Sequence, residues 1–227
     1  MNRYLVVTGG TVSKKVLETV LSDYDFQKII ACDKGLEICQ ECDILPDLVI
    51  GDFDSAKTDI VASYREKTEF LDLDTHKDFT DTHVAISYIL EQEIRPDEVI
   101  LVGATGTRMD HTLANIGLLK QFAESGISAY LIDEHNRITM TAHQHIVKRT
   151  DAYRYVSLLP YTEQVTGVTL QGFYYNAQGL TLKLGESIGV SNELIAECGL
   201  IEFESGLLIV IESRDCCLLY TSDAADD

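Results

Sequence analysis

Short apolar runs alternate with helical patterns through the first 135 residues, and this alternation constrains the fold more than any other feature. Apolar runs that end at glycine or aspartate predict strands, whereas apolar residues spaced three or four apart predict helices. Strands that alternate with helices indicate a parallel sheet covered on both faces. The predicted strands are 4–8, 28–32, 47–50, 68–71, 98–102 and 128–132, and the predicted helices are 13–21, 82–90 and 112–122.

Most of these strands lead directly into turns rich in glycine or aspartate. Because the carboxyl ends of parallel strands meet at one edge of a sheet, such turns predict a single ligand site along that edge. The turns in question are Gly9-Gly10, Asp33-Lys34-Gly35, 51–54, 72–81 and 103–110.

The pattern changes at about residue 136, where helical spacing gives way to short β-rich runs broken by glycines. Such runs are typical of antiparallel sandwiches. The predicted architecture is therefore α/β, with a Rossmann-like, mostly parallel sheet in residues 1–135 and an antiparallel β-sandwich in residues 136–215. Residues 216–227 match neither pattern and are predicted to form a disordered or non-native tail.

Two tight clusters of carboxylates follow strand-like runs, Asp52 with Asp54 and Asp78 with Asp81. Carboxylates packed this closely repel each other unless a partner neutralises them. Mg²⁺ binds through oxygen and is usually shared with substrate phosphates, so it suits such a set. A helix cap with solvated acids in a turn would explain either pair alone, but the two together favour the metal.

A glycine-containing segment, 103–110, lies between a predicted strand and a predicted helix. Its glycines allow the backbone to approach a ligand closely, and the helix N-terminus offers N–H groups to an anion. Arg108 adds a planar fork that can hold two phosphate oxygens. The segment could also be an ordinary strand-to-helix turn with Asp110 as the helix cap. Combined with the carboxylates, it favours metal-assisted phosphoryl chemistry.

The charge of the chain restricts its partners. Its 227 residues carry 18 Lys and Arg against 37 Asp and Glu, a net charge of −19. Such a surface repels nucleic acid and anionic lipid, so neither is an expected partner. No signal-like segment or apolar run of membrane-spanning length is evident, which predicts a cytoplasmic protein. The Cys39–Cys42 pair has no second pair at zinc-ligand spacing and predicts free thiols.

Several of these motifs together match one known enzyme family. The chain resembles thiamine pyrophosphokinases of the bacterial type, and the matching segments appear in family order. They are 33–35, Pro46–Ser55 with its Gly-Asp-Phe-Asp-Ser run, Lys77–Asp81, 103–115 with its Arg-x-Asp-His-x-x-x-Asn core, and Val190–Glu193. The family often has Asp-Gly-Gly where this chain has Asp33-Lys34-Gly35, so the role of the second position is open.

The resemblance implies a homodimer with shared active sites that transfers diphosphate from ATP to the hydroxyl of thiamine, with Mg²⁺ as cofactor. It implies that the metal is held by Asp52, Asp54 and Asp81. It implies a catalytic set of Asp33, Asp54, Asp81 and Arg108, in which Asp33 and Asp81 are alternative acceptors of the hydroxyl proton. The implied ATP contacts are Lys77, Asp78, Thr80, Gly106, Arg108, Asp110 and His111, and the implied thiamine contacts are Ser191 and Asn192.

Two other functions fit the same motifs. A pyrophosphokinase of the same fold could act on another hydroxymethyl heterocycle, such as a pterin, since only the C-terminal pocket would differ. A non-catalytic sensor of thiamine or nucleotide is the other alternative. The acidic clusters argue against a sensor, because a binding protein has no need of several carboxylates suited to a metal.

Overall fold

The fold is described from a computed structural model, which covers residues 1–53, 57–74 and 78–215. Its helices are α1 (Lys14–Asp23), α2 (Gly35–Glu41), α3 (Thr58–Arg65), α4 (Asp81–Glu91) and α5 (Met109–Glu124). The N-terminal strands are β1 (Arg3–Val7), β2 (Lys28–Cys32), β3 (Leu48–Gly51), β4 (Glu69–Asp72), β5 (Glu98–Val102) and β6 (Ser128–Ile132). The remaining strands are β7 (Asn136–Thr141), β8 (His145–Lys148), β9 (Tyr155–Pro160), β10 (Gln164–Gln171), β11 (Ala177–Lys183), β12 (Asn192–Glu193), β13 (Cys198–Glu202) and β14 (Leu208–Ser213).

The first six strands form the parallel half of a ten-stranded sheet with the order β12-β9-β14-β7-β6-β5-β1-β2-β3-β4. Strand β1 lies between β2 and β5 and is parallel to both. The carboxyl ends of β1 to β6 therefore share one edge, as the sequence predicts for this half. The predicted bounds of β2, β5 and β6 agree with those observed.

The same sheet continues into the C-terminal half through the β6–β7 hairpin, which makes β7 antiparallel to β6. Strands β14, β9 and β12 then add in antiparallel order. A separate four-stranded sheet, β11-β10-β13-β8, forms the second layer of the C-terminal sandwich. The predicted fold class is confirmed, with the addition that one layer of the sandwich extends the parallel sheet. The division into 1–135 and 136–215 stays a prediction.

Burial explains this layering. Every residue of β5 is buried, and helices cover both faces of the parallel sheet, as expected for central strands of such a sheet. Strand β10 instead alternates between buried and less buried positions, because only one of its faces meets the other sheet. The sandwich core forms where those two sheets meet, around Val165, Val168 and Ile201.

Two features lie outside these predictions. The short helices α2 and α3 are not among the predicted helices. Strands β8 and β12 coincide with none of the β-rich runs of the C-terminal half, which are 137–141, 153–159, 165–170, 180–184, 199–203 and 207–211. The predicted tail, 216–227, lies outside the described residues. Among the residues described, no helix combines the length and apolar character needed to span a membrane.

Candidate active site

A cavity of about 580 Å³ opens at the carboxyl edge of the parallel strands. It is formed where the turns after β1, β2 and β5 meet the first turns of α4 and α5. The lining residues are Thr8, Gly9, Gly10, Thr11, Cys32, Asp33, Lys34, Thr80, Asp81, Thr82, Gly103, Ala104, Thr105, Gly106, Thr107, Arg108, His111, Thr112 and Asn115. The structure thus brings together residues from four of the five turns that the sequence predicts to share a site; of the fifth, 51–54, no described residue lines the cavity.

The floor of the cavity is the glycine turn, residues 103–106, which packs against the turn after β1. The Gly10 N–H donates to the Gly103 carbonyl at 2.8 Å, and the Thr11 N–H donates to the Thr105 carbonyl at 2.9 Å. A Cβ on Gly10 would lie 2.1 Å from the Gly103 oxygen, so this close approach requires glycine. Gly103 also has a φ of +71°, which a residue with a side chain rarely adopts.

Helix α5 supports the glycine turn from the other side. Asn115 is buried in its second turn and donates through Nδ2 to the Ala104 carbonyl at 2.7 Å. Sequence reasoning quotes Asn115 only as part of a motif and assigns it no role. The contact explains why an amide suits this position, because an apolar residue of similar size would leave a buried carbonyl unpaired.

Non-glycine residues with left-handed backbone coincide with the predicted motifs. Four described residues other than glycine have positive φ, and three lie in motif segments: Asp33 at 46°, Phe53 at 57° and Ser191 at 61°. Such conformations cost free energy and tend to persist where function requires an unusual side-chain direction. The half-buried Asp33 lines the cavity directly after β2.

The N-terminus of α4 forms another wall. The His83 N–H donates to the Thr80 hydroxyl at 3.3 Å, so Thr80 caps the helix, and Asp81 occupies its first turn. Both residues line the cavity. Asp78 is predicted to pair with Asp81, but it lies before the helix begins and does not line the cavity.

Arg108 stands at the mouth of the cavity and is exposed. It donates through Nη2 and Nε to the two carboxylate oxygens of Asp110, at 2.5 and 3.2 Å. This hydrogen bonding, together with that from the His111 N–H, lowers the pKa of Asp110 to about 2. Asp110 therefore stays ionised and fixes the Arg108 fork, although Asp110 itself does not line the cavity.

The predicted metal ligands are only partly visible. Asp81 lines the cavity, and the half-buried Asp52 follows β3 on the same edge of the sheet. Asp54 lies outside the described residues, as does Lys77. Within the described segments, no group of three or more His, Cys, Asp or Glu side chains is arranged to hold a metal. The Asp52, Asp54 and Asp81 set therefore stays a prediction.

The predicted thiamine contacts lie apart from this cavity, on and beside β12. Asn192 is buried, and its side chain exchanges hydrogen bonds of 3.0 and 2.8 Å with the backbone of Tyr175. It thereby supports two adjacent aromatic rings, Tyr174 and Tyr175, each 67% exposed. Ser191 is exposed, and its N–H donates to the Ser157 hydroxyl at 3.0 Å.

Sequence reasoning missed several lining residues. Four threonines line the cavity, but threonine after a strand carries no distinctive pattern. They are Thr8, Thr11, Thr105 and Thr112. Only their position could have indicated them. Thr8, Thr11 and Thr105 lie in turns at the carboxyl ends of strands, the edge of a parallel sheet where ligands bind.

The comparisons with known proteins cover both halves of the chain. The sequence model of the thiamin pyrophosphokinase catalytic domain matches residues 22–131, and that of the vitamin B1 binding domain matches residues 143–208. Thiamine pyrophosphokinase from Bacillus subtilis (strain 168) is 35% identical over 192 residues, which is 82% of this chain and 87% of the relative. The chain belongs to the thiamine pyrophosphokinase family.

Solved structures of the thiamine pyrophosphokinase family have the same fold. The crystal structure of the Bacillus subtilis enzyme superposes with a TM-score of 0.85 at 31% identity, covering 95% of this chain and all of the other. The thiamin pyrophosphokinase from Geobacillus thermodenitrificans gives a TM-score of 0.81 at 30% identity, covering 96% of this chain and all of the other. The family resemblance inferred from the motifs is therefore confirmed.

Proposed function

We propose that this protein is a thiamine diphosphokinase, which transfers the terminal diphosphate of ATP to the hydroxyl of thiamine and releases AMP. The observation that carries the proposal is the cavity at the carboxyl edge, in a chain whose two halves match the catalytic and vitamin B1 binding domains of one enzyme family. The vitamin B1 binding match favours thiamine over a pterin. The match to a catalytic domain over residues 22–131 favours catalysis over sensing.

The triphosphate of ATP would lie over the glycine turn and at the N-termini of α4 and α5. Backbone N–H groups at these helix ends attract anions, and Gly106, Thr80 and His111 line the space between them. Arg108 at the mouth would bind the transferring diphosphate, with Asp110 holding its fork in place. Lys77 and Asp78 precede α4 and complete the proposed nucleotide contacts.

Mg²⁺ fits the donor set because carboxylate oxygens are the ligands this cation prefers. Asp52, Asp54 and Asp81 would hold it at the sheet edge. When bound, it would neutralise phosphate charge that a chain of net charge −19 cannot neutralise through its own surface. The acidic composition is thus consistent with an anionic substrate received by a local site.

The chain's own residues have little covalent chemistry to perform. The thiamine hydroxyl would attack the β-phosphorus of ATP, the bond from that phosphorus to the α-phosphate bridging oxygen would break, and AMP would leave. Catalysis would rest on holding the reactants in line and on stabilising developing charge. Asp33 and Asp81 both line the cavity, and either could accept the hydroxyl proton.

A homodimer would complete the thiamine site. The cavity is open to solvent, and the predicted thiamine residues lie on β12, apart from the cavity lining. A partner's Tyr174–Tyr175 pair, braced by Asn192, would offer aromatic walls to a heterocycle. Two-fold symmetry would then form two equal sites. Since ATP is the proposed donor, the cytoplasm is the proposed location.

The test is an assay of AMP release by purified protein with ATP and Mg²⁺. We expect release with thiamine and no comparable release with a hydroxymethylpterin. Release with the pterin but not with thiamine would replace the substrate assignment. Tight binding of thiamine and ATP without any AMP release would support the sensor instead.

A further inference from the structure

The side chain that fixes the glycine turn from the β-domain side is Asp133. It follows β6 on the same sheet edge as the cavity, and none of the sequence motifs includes it. Thr105 donates through Oγ1 to Asp133 Oδ2 at 3.0 Å, and Thr105 lines the cavity. A hydrogen bond to a carboxylate is stronger than one between neutral groups.

The other oxygen of Asp133 is occupied by the turn between β6 and β7. Oδ1 accepts hydrogen bonds from the His135 N–H at 2.8 Å and the Asn136 N–H at 2.8 Å, and from Asn136 Nδ2 at 3.0 Å. The Asp133 N–H in turn donates to the Asn136 carbonyl at 3.0 Å. A carboxylate with this many donors around it is oriented before any ligand arrives.

Three supports therefore converge on the glycine turn. The turn after β1 donates two backbone N–H groups to it, Asn115 holds the Ala104 carbonyl from α5, and Asp133 holds the Thr105 side chain. The third differs from the others because it comes from the point where the chain enters β7 and the C-terminal half. It links the proposed phosphate site to the strands that lead toward the proposed thiamine site.

We propose that Asp133 is a positioning residue for the nucleotide. Through Thr105 it holds the glycine turn in the conformation that receives the triphosphate, and it ties that conformation to the β6–β7 turn. This inference rests on the proposed function, because it takes ATP as the ligand of the cavity. Asp133 itself need not touch ATP.

Substitutions at Thr105 distinguish an effect of the Thr105–Asp133 hydrogen bond on ATP binding from an effect on overall stability. Thr105→Val keeps the shape and removes the hydroxyl, whereas Thr105→Ser keeps the hydroxyl. We expect Thr105→Val to lower kcat/KM for ATP about tenfold. ATP binding in the absence of thiamine, measured by calorimetry, should weaken by a similar factor. A tenfold loss is the scale expected for one charge-assisted hydrogen bond. Thr105→Ser should restore both values to near wild type.

The double variant shows whether Asp133 acts through Thr105. In Asp133→Asn the amide oxygen can still accept from the two backbone N–H groups, but an uncharged amide nitrogen takes the position of Oδ2. The Thr105 hydroxyl then loses its carboxylate acceptor and can only accept a weaker hydrogen bond from the amide. The single variant should lose ATP affinity, and adding Asp133→Asn to Thr105→Val should cause no further loss. Additive losses would overturn the proposal, because Asp133 would then act by another route.

The control is Thr166→Val, which removes a comparable hydroxyl contact, the 2.7 Å bond to Ser205, far along the sequence in the second sheet. This variant should leave ATP affinity unchanged, whatever its effect on the melting temperature. Wild-type ATP affinity in Thr105→Val would also overturn the proposal. These outcomes differ from failure of the proposed function, which would appear as wild-type protein that binds ATP and leaves thiamine unmodified.

Discussion

At the scale of single residues, the best-defined charged contact of the cavity joins Arg108 and Asp110. Hydrogen bonds from Arg108 and from the His111 N–H lower the pKa of Asp110 to about 2, so the carboxylate that faces the guanidinium is ionised at neutral pH. The guanidinium fork is thus oriented before substrate binds, which avoids an ordering cost during the reaction. The position of a positive charge would matter here as well as its presence.

Arg108→Lys keeps the charge and loses the fork. We expect a loss of about 1–3 kcal/mol in transition-state stabilisation, the scale of a hydrogen bond between charged groups. The measurement is kcat/KM for ATP. Arg95→Lys, at an exposed position before the amino end of β5, is the matched control and should behave as wild type. Unchanged kcat/KM in Arg108→Lys would assign Arg108 to the surface alone.

A separate prediction concerns the proposed metal ligands. Asp52→Asn and Asp81→Asn should each lower turnover by about 10²-fold or more, because each removes a preorganised charge at the reacting phosphates. Asp59→Asn controls for the loss of an acidic residue in a first helical turn, since Asp59 occupies that position in α3. Circular dichroism checks the fold. Near-normal turnover in both variants at saturating Mg²⁺ would remove these residues from the metal site.

At the scale of secondary-structure elements, a buried polar cluster joins the two sheets. Arg137 on β7 pairs with Glu212 on β14 at 2.6–2.8 Å, and its guanidinium lies over the rings of Tyr130 and Tyr153. His145 on β8 packs beside Tyr130. Burial, followed by the charge of Arg137, lowers the pKa of His145 to about 4.

This shift predicts an acid-dependent loss of stability. His145 is neutral in the folded state and binds a proton more readily when unfolded, so stability falls as pH decreases from about 6.5 to about 4. Between pH 7 and pH 5 the free energy of unfolding should fall by about 2 kcal/mol, since each unit of pKa difference between the unfolded and folded states is worth 1.36 kcal/mol. Thermal denaturation at both pH values should show a smaller decrease for His145→Gln than for wild type. Equal decreases would contradict the assigned pKa.

The elements also show which parts of the fold the sequence can predict. Strands such as β2 and β5 are predicted to the residue, because each is a continuous apolar run ended by a turn. The short α2 and α3 escape prediction, since each offers about two turns with few apolar positions, such as Leu36 and Cys39 in α2. The antiparallel extension of the sheet also escapes, because β14 pairs with β7 and β9 across long separations in sequence that local periodicity does not encode.

The candidate site divides in the same way. Asp33, Asp81 and Arg108 were predictable because they combine reactive chemistry with a turn after a strand or the start of a helix. Thr105 and Asp133 were not, since their importance comes from a contact between residues separated by a helix and a strand. Asn192 is the opposite case. The sequence predicts that its amide contacts a ligand, whereas in the structure the amide is hydrogen-bonded to the backbone of Tyr175.

At the scale of the whole molecule, the proposed dimer predicts complementation between subunits. Asp81→Asn and Asn192→Ala should each be nearly inactive alone. If one site takes its phosphate residues and its thiamine residues from opposite subunits, mixed heterodimers would contain one intact site. Activity should then recover to about half of wild type per heterodimer, by the counting of two-fold symmetry.

The controls for complementation concern folding and assembly. Melting temperatures of both variants test whether loss of the Asn192 contact merely unfolds β12. Native mass spectrometry measures the heterodimer fraction. Confirmed heterodimers without recovered activity would place the whole site within one chain, and a protein that stays monomeric at working concentration would exclude the shared site.

The central claim is that diphosphate moves as one unit from ATP to thiamine. Phosphorus NMR of a reaction mixture containing the protein, ATP, Mg²⁺ and thiamine tests it directly. The account predicts that thiamine diphosphate and AMP appear together in equal amounts from the first turnover. Formation of ADP with thiamine monophosphate, or of AMP with free diphosphate and unmodified thiamine, would contradict it.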